Sequence, residues 1–117
     1  MKSQSHLARL GFAFAGIRTV WRREKSFRSQ CMLGLVGVAI TVALRPGWAS
    51  AALIALAMGL VLALEIVNGA LEYLIDRLHP EIHDEIKHAK DAAAGAVLLA
   101  SFFGTLVVLA MVVDRLF

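Results

Sequence analysis

Ala63-Leu-Glu65-Ile-Val-Asn68-Gly-Ala-Leu-Glu72-Tyr-Leu-Ile-Asp76 closes an apolar run that begins at Trp48 and is interrupted only by Ser50. At about 100° per residue, Glu65, Asn68, Glu72 and Asp76 fall at roughly 0°, 300°, 340° and 20°. The four polar side chains therefore share one narrow stripe of an otherwise apolar helix. A helix needs about 20 residues to cross a bilayer. Counted from Trp48, Glu65 and Asn68 lie at or just inside the membrane edge, and Glu72 and Asp76 emerge into water. Carboxylates at that depth are costly and mark a functional site when they face protein or a wet cavity. A seam that only glues helices together is the competing reading, and it has little need of three acids in register.

The rest of the chain agrees with a membrane reading. Of its 117 residues, 59% are hydrophobic and 18% charged, and the mean hydropathy is +0.72. The apolar residues are blocked in runs, which excludes an ordinary soluble domain. We expect an all-α membrane protein with a single domain over residues 1–117. No cleavable leader is expected, because residues 3–16 lack a long apolar core followed by a small-residue cleavage site. Cys31 has no cysteine partner in the chain and sits in an apolar run, where packing is its expected role.

The formal charge of +3 is unevenly placed. Residues 1–28 hold Lys2, Arg9, Arg18, Arg22, Arg23, Lys25 and Arg28 against one acid, Glu24. Attraction to an anionic leaflet explains this cluster better than a nucleic-acid surface, and no nucleic-acid partner is expected. Leu10, Phe14, Ile17 and Trp21 recur at helical spacing with the basic residues opposite them. The spacing predicts an amphipathic interfacial helix over about 4–28.

Three spans follow, over about 29–45, 48–71 and 92–113. The first has an uncharged core of 16 residues between Arg28 and Arg45, short for a bilayer. Both arginines are therefore expected to snorkel to opposite interfaces. Arg45-Pro46-Gly47 predicts a tight turn, and Trp48 an anchor at the headgroups. The second span carries Ala51, Ala55, Gly59 and Ala63, and the third Ala92, Ala96, Ala100 and Gly104. Small residues every fourth position admit a close neighbouring helix. Between these spans, Pro80 suits a helix start, with Glu81, Asp84 and Glu85 early and Lys87, His88 and Lys90 late. An N-terminus and 77–90 loop in the cytoplasm put ten of the twelve basic residues inside. The C-terminus is then extracytoplasmic, and the acidic stripe meets the compartment that holds ATP.

That inner face collects Glu24, Glu65, Asn68, Glu72, Asp76, Glu81, Lys90 and Asp91. Hard oxygen ligands of this kind suit magnesium, and a nearby lysine suits a phosphate. No Walker motif, dinucleotide fingerprint or protein-kinase signature is present. His79 and His83 are four apart, and solvated loop histidines are a simpler reading of them than a structural metal site. A small transporter or channel subunit would also use acids, but it would carry them near midplane.

Glu65-Ile-Val-Asn68-Gly-Ala-Leu-Glu72, then Asp76, then Ala89-Lys90-Asp91, resembles the bacterial membrane diacylglycerol kinase family, which includes undecaprenol kinases. Trp21-Arg-Arg-Glu24-Lys-Ser-Phe27-Arg28 extends the resemblance over nearly the whole chain. It implies an interfacial helix plus three transmembrane helices, assembled as a homotrimer in the bacterial inner membrane with sites between subunits. It implies Glu65 as catalytic base and Glu24 and Glu72 as metal ligands. Around ATP it implies Glu24, Asn68, Glu72, Asp76, Glu81, His83, Lys90 and Asp91, and around the lipid Arg18, Trp21, Phe27, Arg28 and Ala94. Two positions depart from the family pattern. Gly69 stands where a small hydroxyl residue is frequent, and Phe12 where some members have tyrosine. The resemblance implies transfer of the γ-phosphate of ATP to diacylglycerol. Undecaprenol is the alternative, because Ala94 offers no hydroxyl to orient a glycerol backbone.

Overall fold

A computed structural model describes residues 5–78, 81 and 83–117. Its four helices are α1 (His6–Arg23), α2 (Lys25–Leu44), α3 (Trp48–Leu78) and α4 (Asp84–Leu116). The last three are long and apolar enough to cross a membrane. At the helical rise of 1.5 Å, the 31 residues of α3 reach about 46 Å. That exceeds a hydrocarbon core of about 30 Å by roughly ten residues. The excess carries the polar stripe of α3 beyond its apolar part.

The extents of 52 × 40 × 22 Å describe a thin slab. The interior is correspondingly sparse. Val20, Phe27, Ile54, Val61, Val97 and Met111 are buried, while Leu98, Phe102 and Trp48 stand mostly exposed, Trp48 at 91%. A soluble chain would pay heavily in free energy for such a surface, whereas lipid tails solvate it without penalty. The most extensive packing joins α3 to α4, with α2 next against α3, and α1 touches α2 and α3 lightly.

The two small-residue stripes have different neighbours. Ala96, Ala100 and Gly104 of α4 share a cavity with Ala57, Leu60 and Leu64 of α3. A β-carbon on Gly104 would lie 3.7 Å from that of Ala57, which is ordinary close packing. On α3, by contrast, Ala55, Gly59 and Ala63 are exposed, and nothing lies within 4 Å of a β-carbon built on Gly59. Among the described residues of one chain, nothing covers this second stripe.

The boundary between α1 and α2 falls earlier than the charge pattern implies. Glu24 adopts extended backbone (φ −107°, ψ 106°). Its N–H closes α1 on the Val20 carbonyl at 2.8 Å, and its own carbonyl accepts the first bond of α2 from Arg28 N. The Arg28 guanidinium folds back, donating from Nη1 to the carbonyls of Trp21 (2.6 Å) and Arg22 (3.1 Å). Those carbonyls are among the last of α1 and lack helical partners, so a cation there is well placed. An earlier start gives α2 its 20 residues, about 30 Å at the helical rise, and removes the shortfall that the 16-residue core implied.

At the other end, Arg45 takes the left-handed conformation (φ 49°, ψ 58°) as the cap of α2. A side chain in that region costs about 1–2 kcal/mol, and the cap offsets it by bonding Arg45 N to the Thr41 carbonyl at 3.0 Å. Arg115 Nε donates to the Leu44 carbonyl at 2.8 Å, tying α4 to the end of α2. The helix start expected at Pro80 lies outside the described residues, as does His79. The helix is described from Asp84, leaving Glu81 in a bend ahead of it.

Candidate active site

The elbow at Glu24 brings two side chains of the α1–α2 junction onto α3. Ser26, in the first turn of α2, donates its hydroxyl to Glu65 Oε2 at 3.0 Å. Glu65 is buried, at 4% exposure, and Asn68 one turn on is buried at 9%. Glu24 makes no side-chain cap bond to α2 and lies across Gly69. A β-carbon at Gly69 would meet Glu24 Cγ at 3.2 Å and Val20 Cγ1 at 3.3 Å. Among the described residues, the buried amide oxygen of Asn68 has no hydrogen-bond partner. An orphaned acceptor costs about 1–3 kcal/mol, and such a group is expected to meet a donor or cation when the site is filled.

A second group lies between α3 and α4. Glu72, Asp76, Glu81, His83, Lys90, Asp91 and Ala94, with Ile75 and Ile86 between them, line a cavity of about 370 Å³. Lys90 Nζ donates to Asp76 Oδ1 at 2.9 Å across the two helices, and Lys87 Nζ to Asp91 Oδ2 at 2.8 Å along α4. Lys87, Lys90 and Asp91 occupy the polar first turns of α4, ahead of the apolar run that begins at Ala92. The hydrogen bond that Lys90 donates to Asp76 holds its ammonium above its ordinary range. Likewise the hydrogen bond from Lys87 holds the Asp91 carboxyl below its ordinary range. His83 caps α4, its Nδ1 accepting from Glu85 N at 3.2 Å.

All eight residues expected around the nucleotide thus sit at one end of the bundle, but in two sets. Glu24 lies at the elbow, Asn68 is buried one turn on from Glu65, and the other six share the α3–α4 cavity. Among the described residues, no three His, Cys, Asp or Glu side chains converge as a metal cage. Of the residues expected at the lipid, Trp21 and Phe27 pack edge to face with ring centroids 6.2 Å apart. Arg18 is exposed on α1, Arg28 is engaged with the α1 carbonyls, and Ala94 lines the α3–α4 cavity. Sequence reasoning missed Ser26, whose partner is 39 positions away. It also missed the Arg23 guanidinium, 4.0 Å above the Tyr73 ring, a contact that fastens α1 to α3 beside the same elbow.

Three apolar spans with a buried carboxylate and a lysine-bearing acidic cavity at one end define a polytopic membrane protein built around a polar edge site. The family model for prokaryotic diacylglycerol kinase matches residues 11–112, and the chain belongs to that family. It is 33% identical over 90 residues to the diacylglycerol kinase of Escherichia coli (strain K12), covering 77% of this chain and 74% of that one. A diacylglycerol kinase of Pseudomonas aeruginosa is 31% identical over 103 residues, covering 85% and 84%. One from Haemophilus influenzae is 29% identical over 89 residues, covering 76% and 75%. The protein is accordingly a membrane lipid kinase, a phosphotransferase for which the family implies ATP as co-substrate.

Proposed function

We propose that this kinase transfers the γ-phosphoryl group of ATP to the free hydroxyl of diacylglycerol, giving phosphatidate and ADP. The observation that carries the reading is the buried Glu65 carboxylate at the polar end of an apolar span. A lipid hydroxyl can reach that depth while its chains stay in the bilayer. Glu65 accepts the hydroxyl proton, the lipid oxygen forms the new bond to the γ-phosphorus, and the bond from that phosphorus to the β,γ-bridging oxygen breaks, its electron pair leaving with ADP. Phosphoryl transfer asks a protein mainly for positioning and charge neutralisation, and a general base adds typically 10²–10⁴-fold.

Magnesium fits the donors present. Glu24, Glu72 and the unpartnered Asn68 oxygen are hard donors, and magnesium is usually held by one or two carboxylates plus substrate phosphates. Glu24 and Glu72 would hold it, and bound there it would neutralise charge on the phosphates. Lys90, kept at the α3–α4 cavity by Asp76, binds phosphate, while Asn68, Asp76, Glu81, His83 and Asp91 complete the nucleotide contacts. Trp21 and Phe27, with Arg18 and the rest of the Arg28 guanidinium, border the lipid.

We also propose a homotrimer in the bacterial inner membrane, with the N-terminus cytoplasmic and the C-terminus outside. The uncovered Ala55-Gly59-Ala63 stripe supports assembly, and so does Glu24 lining the α1–α3 cleft while Glu72 lines the α3–α4 cavity. A site shared between chains would bring the two acids to one ion. A monomer with full activity in mild detergent contradicts this. Undecaprenol is a second reading of the lipid, favoured by one observation: Ala94 presents a methyl group, not a hydroxyl, to its cavity. Phosphorylation of a panel of lipid alcohols by the purified protein tests both.

A further inference from the structure

We propose that Ser26 is a positioning residue for the reaction, fixing the Glu65 carboxylate so that one defined oxygen faces the lipid hydroxyl. The inference rests on the reading of Glu65 as the base. A carboxylate has two oxygens that interchange by rotation about its terminal bond, a torsion that is broad for glutamate. The Ser26 hydroxyl occupies Oε2 at 3.0 Å, which leaves Oε1 as the proton acceptor. Glu65 is at 4% exposure, so water has little access to take over that role. The bond from Ser26 favours the carboxylate rotamer that keeps Oε2 towards α2.

The placement of Ser26 follows from the local fold. Glu24 breaks the chain, α2 restarts at Lys25, and a short side chain two residues after the break points from the first turn of α2 onto α3. The same break lays Glu24 across Gly69, one turn from Glu65 on α3. One elbow thus sets Ser26 and Glu24 against successive turns of α3. Displacing a reacting group by about 1 Å can cost on the order of a hundredfold in rate, so the constraint bears on turnover more than on affinity. A bond that only fastened α2 to α3 would show in stability and assembly instead.

The experiment is steady-state kinetics of the full-length protein in mild detergent, comparing wild type with Ser26→Ala, Ser26→Cys, Ser26→Thr, Glu65→Gln and the Ser26→Ala/Glu65→Gln pair. Cysteine keeps the size of serine but is a weak donor, whereas threonine keeps the hydroxyl. Losing a hydrogen bond to a charged group predicts a fall in kcat on the order of tenfold for the Ala and Cys variants. KM for ATP and for the lipid alcohol should stay near wild type, and Thr should restore most of kcat. The double variant should be no slower than Glu65→Gln alone, since both changes remove one function. Wild-type kcat in Ser26→Cys or Ser26→Ala, with Glu65→Gln inactive, overturns the inference and leaves the base standing. Equal losses in Cys and Thr overturn it too, because they indicate packing alone. Near-normal kcat in Glu65→Gln overturns the assignment of the base itself. If Ser26→Ala does not assemble, the Cys and Thr pair decides.

Discussion

Glu24 and Gly69 are in contact across the elbow: a β-carbon on Gly69 would stand 3.2 Å from Glu24 Cγ, with Val20 Cγ1 at 3.3 Å behind it. The missing side chain at Gly69 is what lets the acid lie flat on α3. Gly69→Ala would gain up to about 1 kcal/mol of helix propensity while forcing Glu24 aside by a few tenths of an ångström. Thermal stability should hold, and the magnesium concentration for half-maximal activity should rise several-fold. An unchanged magnesium titration in a well-folded Gly69→Ala protein contradicts a role for this contact.

Glu24→Ala and Glu72→Ala should each weaken magnesium-dependent nucleotide binding more than binding of lipid alone. Each alone should be inactive or nearly so. Co-assembly of the two inactive variants should recover part of the activity if the site draws its acids from different chains. Magnesium dependence identical to wild type in both would remove them from the ion.

Lys90→Ala should raise KM for ATP by about tenfold, the scale of one lost charge-assisted contact. Thermal stability should barely move, because the Lys90–Asp76 pair is exposed and such pairs contribute little. The pH dependence has a definite sign. Lys90 is raised from an ordinary 10.5, so its charge is complete below that value and is lost only as pH rises through the higher one. Asp91 is lowered from an ordinary 3.8, so its charge is present above 3.8 and is lost only as pH falls through the lower one. Between about pH 5 and 9 neither group titrates. Lys90→Arg, which keeps the charge, should therefore keep the wild-type shape of the ATP KM profile across that window. A Lys90→Arg profile that departs in shape from wild type there would contradict a Lys90 charge that is constant across the window.

The polar stripe of α3 was legible in the sequence because it obeys helical geometry alone: positions 65, 68, 72 and 76 share a face in any straight helix. The Arg45-Pro46-Gly47 turn and the three spans were legible from local chemistry and length. The α1–α2 boundary was not. Basic residues continue to Arg28, and nothing local distinguishes a solvated arginine from one folded back onto the Trp21 and Arg22 carbonyls. The grip of Ser26 on Glu65 was hidden for a related reason, since it joins residues 39 apart through the elbow. Nor could spacing divide the acids between the elbow and the α3–α4 cavity, because that depends on which face of α3 each neighbouring helix covers.

Diacylglycerol and undecaprenol presented side by side in one detergent should favour diacylglycerol. Apolar pockets separate similar chains weakly, so a modest preference is expected. A catalytic efficiency about tenfold higher for undecaprenol, about 1.4 kcal/mol in transition-state binding, would reverse the assignment. Ala94→Ser should shift preference towards diacylglycerol if the wall of the α3–α4 cavity contributes to the choice.

The most direct measurement is transfer of labelled γ-phosphate from ATP to diacylglycerol by the purified protein in mild detergent, with wild type and Glu65→Gln assayed in parallel. The wild type should form labelled phosphatidate. Glu65→Gln should assemble and bind ATP normally while turning over about 10²–10⁴-fold more slowly. Absence of label in any lipid alcohol with the wild type, or near-normal turnover in Glu65→Gln, would contradict the account.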